Sequence, residues 1–450
     1  MVLFCFIWFS ALYFFVFKTS KDNDLLSPLK LVSVKYALLN LPFILFIYFR
    51  PQFFKKIILR ACNVTLDEAF LQYTKVQTIA FVSLVLGIYA YNKWKILKPQ
   101  STVGTRITSY KSLKKAAIFF MAIGIGAYLV FIYRIGGFIY LFTHLDKRIQ
   151  LQSSQYVLEL LSFLYIGVLL FMQCVRLKNT KLNKIIFFVS LLISCFIFSS
   201  FGGRKNTFLL IIMVVISYHY TIKKISFSTI NKPLLAAVVV LLCGYILAVP
   251  VLRKKHQIAK LQVENANYGE FFNITAFIYN TSYTFIDIFA ANYFNRSNAW
   301  YLDGFFEPAT ALFAQPDKSM IPQVDQGVYF HSIVMKQKDF RPPLPRKELS
   351  KTSWPTENFG FAYANFLIPG VIVFFFLQGF VFAYAHSSLK NDIYNPILLL
   401  LYVLVIFTFN FSSLRIAAFI KMAPIIYFAN ILFNRYVRQK SIKDSFKINV

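Results

Sequence analysis

The chain has 450 residues, a formal net charge of +30, a mean hydropathy of +0.58 and 58% hydrophobic residues. That much apolar side chain exceeds what a soluble protein of this length needs, and several nearly uncharged runs match the ~20 residues that cross about 30 Å of hydrocarbon. A β-barrel is excluded because no alternating segments of about ten residues occur. A nucleic-acid partner is not expected either, because Lys and Arg cluster in short connections between apolar runs, where membrane orientation requires them.

In chain order, the apolar runs predict an all-α, polytopic membrane protein of about eleven spans. They fall at 1–17, 31–49, 74–93, 114–133, 155–175, 184–200, 206–221, 233–252, 361–385, 395–411 and 416–433. No basic region precedes the first run, which therefore reads as a span and not as a cleaved signal. No internal repeat is visible. The organisation is one domain: N-terminal spans over 1–252, a long loop over 253–360, and C-terminal spans with a tail over 361–450. Cys5, Cys62, Cys174, Cys195 and Cys243 are scattered, with no disulfide framework and no metal-ligand spacing. No phosphate-loop or dinucleotide motif appears, so no metal, nucleotide or other cofactor is expected.

Orientation follows from basic residues. The connections 18–30, 94–113, 176–183, 222–232 and 386–394, with the tail after 433, carry about twice the Lys and Arg of the alternate short connections. The positive-inside rule puts that set in the cytoplasm and the 253–360 loop outside. This loop holds ten of the eighteen acidic residues. Its stretch FRPPLPRKELSKTSWP (340–355) cannot be continuous helix. Its segment FFNITAFIYNTSYTFIDIFAANYF (271–294) is aromatic and amphipathic, and is expected to lie on the membrane surface or re-enter it. A loop of about 100 residues inside a compact domain is usually functional.

The candidate residues are outward cations and carboxylates. Arg204 and Lys205 sit in the short break FGGRKN, where glycines let backbone N–H groups approach an anion and the arginine adds a bidentate fork. Arg253 opens the basic run RKKHQIAK. Arg341 lies in the Pro-rich stretch, and Arg415 in the short turn FSSLR. The competing reading of each is an interfacial anchor that snorkels to the head groups. His256 and His331 are candidate general bases on a sugar hydroxyl, against a plain solvated histidine. Glu159 is a carboxylate inside a predicted span, where an arginine partner is expected. Glu357 leads into the ninth span as a base or a partner to a cation.

The stretches NDLLSPLKLVSVKYAL (23–38), GGFIYLFTHLDKRI (136–149), FGGRKN (201–206) and ENFGFAYANFLIPGV (357–371) resemble the oligosaccharide repeat-unit polymerases, the Wzy-type O-antigen and capsule polymerases of bacteria. The resemblance runs over roughly 23–433. It implies a GT-C-like fold with a long periplasmic loop and a metal-independent glycosyltransferase of the inner membrane. The implied substrate is an undecaprenyl-diphosphate-linked oligosaccharide. Membrane lipids, a chain-length regulator protein and a flippase are the implied partners.

Under the resemblance Arg204 matches the arginine of the family's Gly-Arg turn. Asn365 and Gly370 match its Asn-Phe-Gly-type stretch, and Asn358 and Asn365 become candidates on the acceptor side. Where the family has glycine after Asn-Phe, this chain has Leu367. The outward arginines would hold the donor diphosphate as it leaves, and a base among Glu357, His331, His256 and Glu159 would deprotonate the acceptor. A ligase that moves glycan to a lipid core, and a flippase of lipid-linked oligosaccharide, are the alternatives.

Overall fold

A computed structural model describes residues 1–20, 24–54, 60–96, 109–144, 151, 156–201, 205–225, 244, 283–305, 325–350, 353–354 and 356–437. The described residues contain helices and no strand. In chain order the main helices are α1 (Val2–Thr19), α2 (Pro28–Phe49), α3 (Leu66–Ile96), α4 (Tyr110–Ile135), α5 (Ser162–Leu177), α6 (Lys181–Ser200) and α7 (Lys205–Thr221). They continue with α8 (Thr284–Tyr293), α9 (Gln326–Lys336), α10 (Asn358–Asn391), α11 (Pro396–Thr408) and α12 (Ser413–Leu432).

Eight helical stretches among the described residues are long and apolar enough to cross a membrane: Val2–Thr19, Pro28–Phe49, Leu66–Lys95, Tyr110–Ile135, Val157–Leu177, Lys181–Ser200, Asn358–Asn391 and Arg415–Arg435. The chain is therefore a polytopic, helical, membrane-embedded protein. The run expected at 233–252 lies outside the described residues, apart from Gly244. The run expected at 395–411 is helical only over α11, whose 13 residues extend about 20 Å, short of a full crossing.

Local chemistry sets the helix boundaries. α3 starts eight residues before its expected span because Thr65 and Glu68 form a capping box. The Glu68 carboxylate accepts from the Thr65 N–H at 2.9 Å, and the Glu68 N–H donates to the Thr65 hydroxyl at 3.3 Å. Asp325 caps α9 by accepting from the Val328 N–H at 2.9 Å. α4 stops at Gly136, whose φ of 96° is left-handed.

The chain forms two compact units. The first comprises Met1–Lys98, Asn273–His386 and Thr408–Phe419, and the second Pro99–Phe272, Ser387–Phe407 and Ile420–Val450. In the first unit, Phe9 and Tyr13 of α1 pack with Tyr73 and Phe81 of α3 in edge-on contacts. The Asn40 amide of α2 donates to the Tyr13 hydroxyl at 2.7 Å. α3 and α10 approach closely: a Cβ on Gly87 would strike the Phe376 carbonyl, and one on Gly379 the Leu84 carbonyl. Small residues at such crossings let helix backbones touch where lipid removes the hydrophobic driving force between helices.

α8 is the described end of the 271–294 segment, expected to lie on the membrane surface or to re-enter it. Its residues Thr284 to Ala291 are buried inside the first unit. The Thr284 hydroxyl donates to the Asn40 side-chain oxygen at 2.9 Å, and the Asn292 amide donates to the Ala69 carbonyl at 3.1 Å. Polar matching contributes: α2 presents a buried carboxamide oxygen, and the Thr284 hydroxyl supplies its partner away from water.

α10 is two helices joined at a break. Phe366 and Leu367 leave helical geometry, and Leu367 has φ 54° and ψ −140°. The first segment folds back on the second. Gly370 lies so close to the Ala362 carbonyl that no Cβ fits, and Phe361 packs on Phe374 with centroids 5.8 Å apart.

In the second unit α5 is apolar all round and buried almost completely. It packs on α4, where Gly124 meets Leu164 and Gly167 meets Met121. The Tyr128 hydroxyl of α4 donates to the Ser200 hydroxyl at the end of α6 at 2.8 Å.

Candidate functional site

At the foot of α10, where the folded-back first segment begins, several ionisable side chains of the first unit meet. Glu357 immediately precedes the helix, whose N-terminal dipole favours a carboxylate there. It pairs with Lys35 of α2 at 3.7 Å, and the two side chains are 19% and 11% exposed. Lys35 is the eighth of the 22 residues of α2, so it stands about 10 Å along the helix from its first residue. The pair therefore lies inside the span and not at either end. A lysine there is costly unless it is paired or functional.

Arg415 and Tyr283 join this pair. The Arg415 guanidinium lies beside the Tyr283 hydroxyl, and the charges of Glu357 and Arg415 both act on that hydroxyl. Burial first, and then Glu357, push the Tyr283 hydroxyl above its usual pKa, with Arg415 pulling the other way. Arg415 is half-buried.

Asn358 fixes the turn that carries Arg415. Its amide donates to the Gln378 side-chain oxygen at 3.1 Å, and its own oxygen accepts from the Phe411 N–H at 3.2 Å. Gln378 in turn donates to the Phe409 carbonyl at 2.9 Å. Asn410 closes the turn by accepting from the Ser412 N–H at 3.0 Å. Three backbone groups of the break between α11 and α12 are thus satisfied by buried carboxamides.

Behind Glu357 lies Asp287 of α8, buried to 6% exposure. Its carboxyl accepts from the Gly360 N–H, while its Oδ1 has no hydrogen-bond partner. Burial first, and then the Glu357 charge, hold it well above the usual carboxylate range.

The other sequence candidates are placed as follows. Arg204, Arg253 and His256 lie outside the described residues. Lys205 is the exposed first residue of α7 in the second unit. Arg341 is committed to an ion pair with Asp303 and reaches the Trp300 carbonyl at 3.5 Å. It holds the 300–305 turn. His331 of α9 packs edge-on against Trp354 at 5.1 Å, and its Nδ1 is buried without a partner. Burial lowers its pKa.

Asn365 is fully buried; its amide donates to the Phe361 carbonyl at 2.8 Å, and its side chain leaves no room for a Cβ on Gly304. It stands seven residues beyond Asn358, so about 10 Å up the helix from the cluster. Glu159 belongs to the second unit, and the charge that acts on it is Lys421, not an arginine.

Of the candidates, the fold brings together Glu357, Asn358 and Arg415. It adds Lys35, Tyr283 and Asp287, which sequence reasoning missed. Lys35 carried a signal, being a cation inside an apolar run; Asp287 did so only as a lone acid within an aromatic segment. Compared with family models, curated proteins and solved structures, the chain matches none.

Proposed function

We propose that the protein is a polysaccharide polymerase of the bacterial inner membrane. In this reading it transfers a growing glycan from undecaprenyl diphosphate to the next lipid-linked repeat unit, with its site open to the periplasmic side. The observation that carries the proposal is the cluster of Glu357, Lys35 and Arg415, a carboxylate and two cations held partly open inside an apolar bundle. The stretch 357–371, one of those that resemble the polymerase family, builds the foot of this cluster.

The chemistry fits those groups. Glu357 takes the proton of the acceptor hydroxyl as its oxygen bonds to the anomeric carbon. The anomeric C–O bond breaks, and its electron pair leaves with the diphosphate. Arg415 and Lys35 stabilise that developing charge. The phosphoester leaving group supplies the driving force. Asn358 positions Arg415 and touches no reacting atom.

An apolar groove of about 390 Å³ between α1 and α3 is lined by Phe4, Trp8, Leu71 and Ile79. It suits a polyprenyl chain.

The test is reconstitution with a purified lipid-linked repeat unit. A ladder of longer glycans with release of undecaprenyl diphosphate is expected. Transport of the lipid-linked unit without elongation would replace the proposal with a flippase. Transfer only to a lipid core would replace it with a ligase.

A further inference from the structure

We infer that the Lys35–Glu357–Arg415 cluster takes one anionic phosphate group, and that Asp287, an uncharged carboxyl behind it, is what leaves the cluster a positive charge to offer. The inference deepens the polymerase reading by naming how the site is charged, and its test needs no polymerisation.

Among the described residues, Lys35, Glu357, Arg415 and Asp287 are the charge-bearing side chains that meet here. Among the described residues Lys35 is paired with Glu357 at 3.7 Å, and the two charges offset each other. Among the described residues Arg415 meets a phenol and forms no ion pair with a carboxylate. Asp287 decides the remainder. Ionised, it would offset Arg415 and leave nothing for an anion. Neutral, it leaves one positive charge.

The surroundings of Asp287 favour the neutral form. Among the described residues it forms no ion pair. The groups that face it are Tyr13 of α1, Tyr36 of α2, Tyr73 of α3, Tyr283 beside α8 and Glu357 before α10. Four are phenols and the fifth is an anion. Among the described residues one backbone N–H, that of Gly360, supports a charge on it, and its Oδ1 has no hydrogen-bond partner. A buried carboxylate without a cation gives up its charge before it bears the desolvation. Lys35 and Glu357 remain partly exposed, so the charged groups can be reached where Asp287 cannot.

The probe is inorganic diphosphate, titrated into the purified full-length protein at neutral pH. Lys35→Met and Arg415→Met should each weaken binding about tenfold or more, the size of a lost charged hydrogen bond. Asp287→Asn, which mimics the protonated acid, should bind within about twofold of the parent. An Asn variant that binds tenfold tighter would mean that Asp287 had been charged, and would overturn the inference. So would full binding by both Met variants.

Infrared spectroscopy gives a second readout on the resting protein. A carboxylic-acid C=O band at neutral pH should vanish in Asp287→Asn and persist in Asp24→Asn. If Asp287→Asn is not recovered, Asp287→Ser serves the same comparisons. Diphosphate binding without glycan elongation would remove the polymerase reading and keep this inference. Elongation without diphosphate binding would do the reverse.

Discussion

Glu357 and Lys35, far apart in the chain, stand 3.7 Å apart inside the span formed by α2. This ion pair is the point where the N-terminal helices and the end of the long loop meet in one chemical group.

Removing its charge should separate catalysis from folding. Glu357→Gln keeps the shape of the side chain and loses the base. Elongation is expected to fall by about 10²–10⁴-fold, the range of a general base, with protein abundance in the membrane preserved. The measurement is glycan length per molecule of protein. A structural pair predicts the opposite: lower abundance and unchanged turnover.

Asn358 tests positioning. Asn358→Ala leaves the Phe411 N–H and the Gln378 side-chain oxygen without their partners, a loss of about 1–3 kcal/mol for each buried group. The thermal midpoint should fall. Diphosphate affinity should fall with it, because the turn that carries Arg415 loosens. Gln378→Leu should show the same pairing of effects, while Asn365→Ala should lower stability alone.

How much of this was open to a reader of the sequence depends on range. The spans were legible because burial in lipid imposes long apolar runs, and α1, α2, α4 and α6 fall where hydropathy puts them. The start of α3 was also written locally, in Thr65 and Glu68, but the apolar window masked it. Glu357, Asn358 and Arg415 were legible as polar residues next to spans. Their meeting was not, because it depends on α10 folding back at Leu367 and on the turn at 409–412. Asp287 was the hardest, since an amphipathic aromatic segment reads as lying on the membrane surface or re-entering it, and its polar partners on α2 and α3 are not visible in the sequence.

Orientation bears on the reading directly. The positive-inside rule predicts 253–360 outside and the C-terminal tail inside. Alkaline phosphatase fused near Gln323 should be active, and a fusion after Val437 inactive. The reverse pattern would put the cluster in reach of the cytoplasm and remove a periplasmic substrate.

His331 should shape the acid limb of stability. Burial lowers its pKa in the folded chain, so between that value and about 6.5 the unfolded chain holds the extra proton. Stability from this group is complete above about pH 6.5 and is lost as pH falls through that window. Thermal midpoints measured across it should drop for the parent and flatten for His331→Gln. A parallel drop in both would assign the limb to other groups.

Leu367 gives the last test, because it inverts an ordinary ranking. At a half-buried helical leucine, glycine is the worst of the small substitutions, about 1 kcal/mol below alanine. Here φ is 54° and ψ −140°, a region that only glycine enters freely. Holding a side chain there costs about 1–3 kcal/mol. Leu367→Gly relieves that strain and loses roughly 1–1.5 kcal/mol of partial apolar burial, so the two nearly cancel. Leu367→Ala loses the burial and keeps the strain. Leu367→Val adds β-branching, which crowds the left-handed backbone further. The expected order of thermal midpoint is Gly at or above the parent, then Ala, then Val. Alanine above glycine would mean that the chain runs through Leu367 as ordinary helix, and that the first segment of α10 does not fold back to bring Glu357 to Lys35.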